Sequence, residues 1–94
     1  MSEHHSFLER SPVFHAKVVV TLRRSILDPQ GKAVEHGIQS LGHTMVENVR
    51  IGKLVEMNID VSSREEAERI AKDAAAKLLA NPVMEDYHVT VETL

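Results

Sequence analysis

Between Phe14 and Leu22 the apolar residues fall on alternate positions, and this regularity constrains the fold more than any other feature of the chain. Phe14, Ala16, Val18, Val20 and Leu22 share one side; His15, Lys17, Val19 and Thr21 share the other. Period two with β-branched residues marks a strand with one buried face. The residues that follow change period repeatedly, and the order of those changes sets the expected topology.

Asp28 is placed to cap a helix, and Pro29 fits its first position, where a missing N–H costs nothing. Ala33, Val34, Gly37, Ile38 and Leu41 form a helical stripe, and Gly42 suits a left-handed stop. Gly31 and Gly37 each weaken a helix by about 1 kcal/mol relative to Ala, which points to close backbone approach, helix to sheet. The runs 44–51 and 53–61 flank Gly52, which predicts a tight hairpin with a positive φ at that glycine. Ser62 and Ser63, with Glu65 and Glu66, are overlapping capping boxes for a second helix. Its predicted buried stripe is Ala67, Ile70, Ala71, Ala74 and Leu78, with Glu65/Arg69, Glu68/Lys72 and Asp73/Lys77 pairs on the wet side. Asn81-Pro82 ends that helix, and Tyr87, Val89 and Val91 alternate into a last strand.

The order β-α-β-β-α-β predicts an α+β, ferredoxin-like domain with a four-stranded antiparallel sheet and two helices on one face. Val19 and Leu54 would lie on the other face among His15, Lys17, Glu56, Asn58 and Thr90. Residues 1–12 are polar and aperiodic, which predicts a flexible extension before a single domain spanning 13–94.

The absence of cysteine excludes thiolate catalysis, thiolate zinc sites and disulfides, so a core of this size is a small one. A net charge of −3 and only two Phe and one Tyr argue against nucleic acid. No apolar run reaches membrane-span length and no signal-peptide pattern opens the chain, so the expectation is a soluble, cytoplasmic protein.

The titratable residues offer no catalytic constellation. None of the six histidines has zinc-signature spacing, so no metal site is expected. Arg23, Arg24, Arg50 and Lys53 are cations near turns, but there is no P-loop. Glu85 and Asp86 are adjacent, and on a strand adjacent carboxylates point to opposite faces.

Three junction runs remain: Asp28-Pro29-Gln30-Gly31, Arg50-Ile51-Gly52-Lys53, and the ten residues from Leu78 through Asn81, Pro82 and Glu85 to Tyr87. Together, over Phe14 to Leu94, they resemble the PurS family, the small subunit of phosphoribosylformylglycinamidine (FGAM) synthase. Met84 stands where that family usually has Ile. The resemblance implies a non-catalytic subunit in purine biosynthesis that joins a PurQ-type glutaminase to a PurL-type synthetase and supports ammonia transfer. It implies a homodimer or homotetramer, no cofactor on this chain, and ATP and magnesium on the synthetase. Arg50, Gly52, Lys53, Asn81, Pro82, Glu85 and Tyr87 are the expected partner-interface candidates, with 28–31 a structural motif. The alternative is a ferredoxin-like module that binds a small regulatory ligand.

Overall fold

The structure is a computed structural model and describes residues 13–94. The expected flexible extension, 1–12, lies outside the described residues. The elements are β1 (Val13–Leu22), α1 (Pro29–Ser40), β2 (Gly52–Asp60), α2 (Arg64–Ala74) continued by a π-helical turn (Ala75–Leu79), and β3 (Glu85–Thr93). The strands form one antiparallel sheet in the order β2-β1-β3. The central strand is therefore the one with the strictest alternation.

Phe14, Ala16, Val18 and Val20 are all buried, as the alternation requires. They pack with Ala67, Ala71 and Ala75 of the second helix and with Ile59, Ala80 and Val91. Alanine at these helix positions lets the backbone approach the sheet closely. Ser63 caps α2, its hydroxyl accepting the Glu66 N–H at 3.2 Å. Asp73 and Lys77 pair at 2.9 Å as expected, whereas Arg69 pairs with Glu66 at 3.8 Å rather than with Glu65.

The expected fourth strand does not form. Residues 44–51 run back along α1, and side chains of α1 and its cap hold their backbone. Gln39 Nε2 donates to the Val46 carbonyl at 2.7 Å. The Val49 N–H donates to Glu35 Oε1 at 3.2 Å, and the Ile51 N–H to Asp28 Oδ2 at 2.8 Å. Groups that would have paired with β2 are thereby satisfied elsewhere, which removes the drive to form a hairpin. Asn48, in this segment, adopts the left-handed conformation (φ 60°) that asparagine tolerates.

Two further expectations change with it. Gly52 is not a positive-φ turn; it opens β2, and a Cβ there would meet the Val20 carbonyl oxygen at 2.6 Å and Thr21 Cγ2 at 2.8 Å. Helix α1 does not lay its apolar stripe on the sheet. The residues it buries are Gly31 and Glu35, while Val34 is exposed and Leu41, just past its end, is 77% exposed. Gly42 does provide the left-handed stop, at φ 106°.

The stripe of α2 also shifts. Leu78 is 80% exposed, and Ala75 is buried in its place, with Leu79 packed against the same cluster. The Ala80 N–H donates to the Ala75 carbonyl, an i→i−5 bond that widens the last turn by one residue. That added residue rotates Leu78 out and Leu79 in.

The two helical glycines should separate cleanly on substitution. A Cβ on Gly31 would collide with the Val49 carbonyl oxygen, whereas one on Gly37 meets nothing within 4 Å. Gly31→Ala is expected to destabilise by about 1–3 kcal/mol. Gly37→Ala is expected to stabilise by about 0.5–1 kcal/mol. Urea unfolding of both variants checks this.

Candidate functional site

The three junction runs come together at one end of the sheet. The register places Lys53 of β2 and Tyr87 of β3 on either side of Val20, with Gly52 and Asp86 flanking Thr21 in the next row. Leu22, the last residue of β1, is paired with Glu85. A cavity of about 270 Å³ is lined by Asp28, Gln30, Ile51, Gly52, Lys53 and Glu85, residues from all three runs. A second, of about 390 Å³, opens beside it against Arg23, Ala80, Pro82, Glu85, Asp86 and Tyr87.

Asp28 organises the first two runs. Its Oδ1 accepts the Gly31 N–H at 3.0 Å, capping α1, and its Oδ2 accepts the Ile51 N–H. The carboxylate is buried. The Ile51 and Gly31 N–H groups, helped by the nearby Arg50 charge, hold its pKa below the ordinary 3.8 against the opposing effect of desolvation. Arg50 is used in the same junction: its Nη2 donates to the carbonyls of Arg23 (2.9 Å) and Ile26 (2.8 Å).

The third run is a closed turn. Asn81 Oδ1 accepts the N–H groups of Val83 (2.9 Å) and Met84 (3.3 Å), and the Asn81 N–H donates to Glu85 Oε1 at 2.7 Å. The Pro82 carbonyl accepts from Arg23 Nη2 at 2.7 Å, and Arg23 Nε lies 3.4 Å from Asp86 Oδ1.

The interface candidates thus divide. Arg50, Asn81, Glu85 and the Pro82 carbonyl are engaged within the chain, and Gly52 is there for close approach. Lys53 and Tyr87 are exposed, and Lys53 has no ion-pair partner among the described residues. Sequence reasoning missed that Leu78, Val83 and Met84, apolar residues of the third run, are exposed. The periodicity places Leu78 in the buried stripe of the second helix and leaves Val83 and Met84 in the connection after it. No group of three or more His, Asp or Glu among the described residues is placed to hold a metal ion.

The model of the PurS family, described as phosphoribosylformylglycinamidine (FGAM) synthase, matches residues 15–93. This chain belongs to the PurS family. The PurS subunit of Bacillus subtilis is 45% identical over 80 residues, 85% of this chain and 94% of the relative. That of Synechocystis is 40% identical over 81 residues, covering 86% and 81%. The structure of Thermus thermophilus PurS superposes with a TM-score of 0.81 at 45% identity, covering 88% of this chain and 99% of that one. A chain in the Thermotoga maritima PurLQS structure superposes at 0.77 with 31% identity, covering 88% and 99%. In this chain, the runs that carried the resemblance are those that converge at one end of the sheet.

Removing the Asp28 charge should reshape the acid limb of stability. Because its folded pKa is depressed, its contribution is full above the unfolded value and disappears as pH falls through the folded one. The native chain is therefore expected to lose stability below about pH 4. Asp28→Asn should be less stable at neutral pH and should flatten that limb. Urea midpoints between pH 3 and pH 7 read both effects.

Proposed function

We propose that this chain is the non-catalytic PurS subunit of phosphoribosylformylglycinamidine synthase, joining PurL-type synthetase and PurQ-type glutaminase subunits and supporting ammonia transfer. The observation that carries this reading is the convergence of the three runs into one exposed end, in a chain whose shape recurs in the Thermotoga maritima PurLQS structure. The end offers Lys53, Tyr87, Leu78, Val83 and Met84 to a partner. Its other polar groups are spent on holding the turns, which suits a docking surface better than a reaction centre. ATP and magnesium belong on the synthetase, and the complex works in the cytoplasm. Among the described residues no helix is long and apolar enough to cross a membrane.

Residues 13–94 form the assembling domain, and the chain self-associates as a dimer or tetramer. Two features support this. Leu27, Val34, Leu41 and Met45 lie exposed on and around α1, and β2 is an edge strand because the expected neighbour is missing. The ligand-module alternative has less support, since the charged groups lining the two cavities are largely paired internally.

Reconstitution tests the proposal. Glutamine-dependent amidine formation by the synthetase and glutaminase is expected only when this chain is added, and the chain alone should release neither glutamate from glutamine nor phosphate from ATP. Tyr87→Ala and Lys53→Glu should each weaken co-elution with the partners, Tyr87→Ala by about tenfold, with the fold intact. Arg50→Glu should instead lower the unfolding midpoint, since it abandons two carbonyls. Full activity without the chain, or hydrolysis by the chain alone, overturns the reading.

A further inference from the structure

The open face of the sheet, opposite α2, carries a histidine with both ring nitrogens occupied. His15 Nε2 lies 2.7 Å from Glu56 Oε1, and Nδ1 lies 2.8 Å from Asn58 Oδ1. The register sets Asn58 directly across from His15 on β2 and Glu56 two residues along the same face, opposite Lys17. Both partners are oxygens that only accept in this geometry. A neutral imidazole has one N–H, so it can satisfy one of them; an imidazolium satisfies both.

We propose that doubly protonated His15 is a pH-sensitive clasp that holds the side chains of Glu56 and Asn58 against the open face, and that loss of one proton, the remaining N–H staying on the Glu56 carboxylate, releases Asn58 to the outer edge of the sheet. The inference is independent of the bridging reading.

The surroundings favour this state. Glu56 is the nearest anion. Glu92 faces His15 from β3, and Asp60 lies two residues beyond Asn58 on β2. Among the described residues Lys17, two residues along β1, is the cation that opposes protonation. The hydrogen bonds to Asn58 and then Glu56 raise the His15 pKa from the ordinary 6.5, outweighing desolvation and Lys17. A raised value means that the stabilisation is complete below the unfolded pKa and is lost as pH rises through the folded one. Glu56 and Asn58 belong to an edge strand, so the clasp sets which side chains that edge presents.

The test is an NMR titration of the His15 ring in the full chain, with the Asn58 side-chain amide followed in parallel, for the native protein, Glu56→Gln and Asn58→Leu. These two partners are exposed, so both variants should fold. The native midpoint is expected above 6.5, with both substitutions lowering it and the Asn58 amide shifting at the same midpoint as the ring. The urea midpoint of the native chain should fall as pH rises from 6.5 through that value, and Glu56→Gln should blunt the fall. A native midpoint at or below 6.5 overturns the proposal. So does a midpoint raised by Asn58→Leu, since that result means a turned Asn58 amide donates to a neutral ring.

Discussion

The carboxylate of Asp28 ties together parts of the chain that share no other reason to meet. One oxygen caps α1 and the other accepts from Ile51, immediately before β2 begins. With two oxygens, each directed at a different N–H, one side chain serves both the helix start and the strand entry. The two hydrogen bonds fix where α1 starts relative to β2, and Val49 then lies against Gly31, where only a residue without Cβ fits. Arg50 closes the same junction from the other direction by donating to the carbonyls of Arg23 and Ile26. Asp28 and Gly31 are thus one device, and the neighbouring 50–53 run is its receptor.

That device has a consequence for the sheet. Once residues 46–51 lie along α1, they cannot also be the outer neighbour of β2. The sheet stops at three strands, with β1 paired on both sides and the other two exposed at its edges. Helix α1, held to this segment, buries Gly31 and Glu35 and leaves its apolar side in water. A domain of this size buries a limited fraction of its surface in any case. Leaving a helix face and an edge uncovered makes association the natural way to complete it, which accords with a chain that serves as a subunit.

What the sequence conveyed well was local chemistry with a single available outcome. The alternation in β1, the Asp28 and Ser63 caps and the Gly42 stop each depend on neighbours within four residues, and each is where the pattern put it. The fourth strand was misread because its residues are apolar enough to alternate. The deciding interactions come from Asp28, Glu35 and Gln39, polar residues on a separate element whose reach periodicity does not record. Glu35 is the clearest case: a carboxylate on a helix, it is buried, accepts the Val49 N–H and lies 3.8 Å from Lys32 Nζ. Of the interface candidates, residue type alone could not separate Lys53 and Tyr87, which are open, from Arg50, Asn81 and Glu85, which hold the backbone.

The π-helical turn at 75–79 links the core to the exposed end. A regular helix would have carried the stripe 67, 71, 74 on to Leu78 and buried it. The extra residue instead carries the stripe from Ala75 to Leu79 and leaves Leu78 outside, with Val83, Met84 and Tyr87 exposed in the turn and strand that follow. A strained widening of this sort costs some hydrogen-bond quality, and such turns occur often at functional positions. Here it does two things through one residue. It brings Ala80 down to close the core under Val18 and Val20, and it sets Asn81 where its side chain can fold the next four residues into a turn. The exposure of Leu78 therefore follows from how the helix ends, so a change that restored a regular last turn would alter the proposed docking surface.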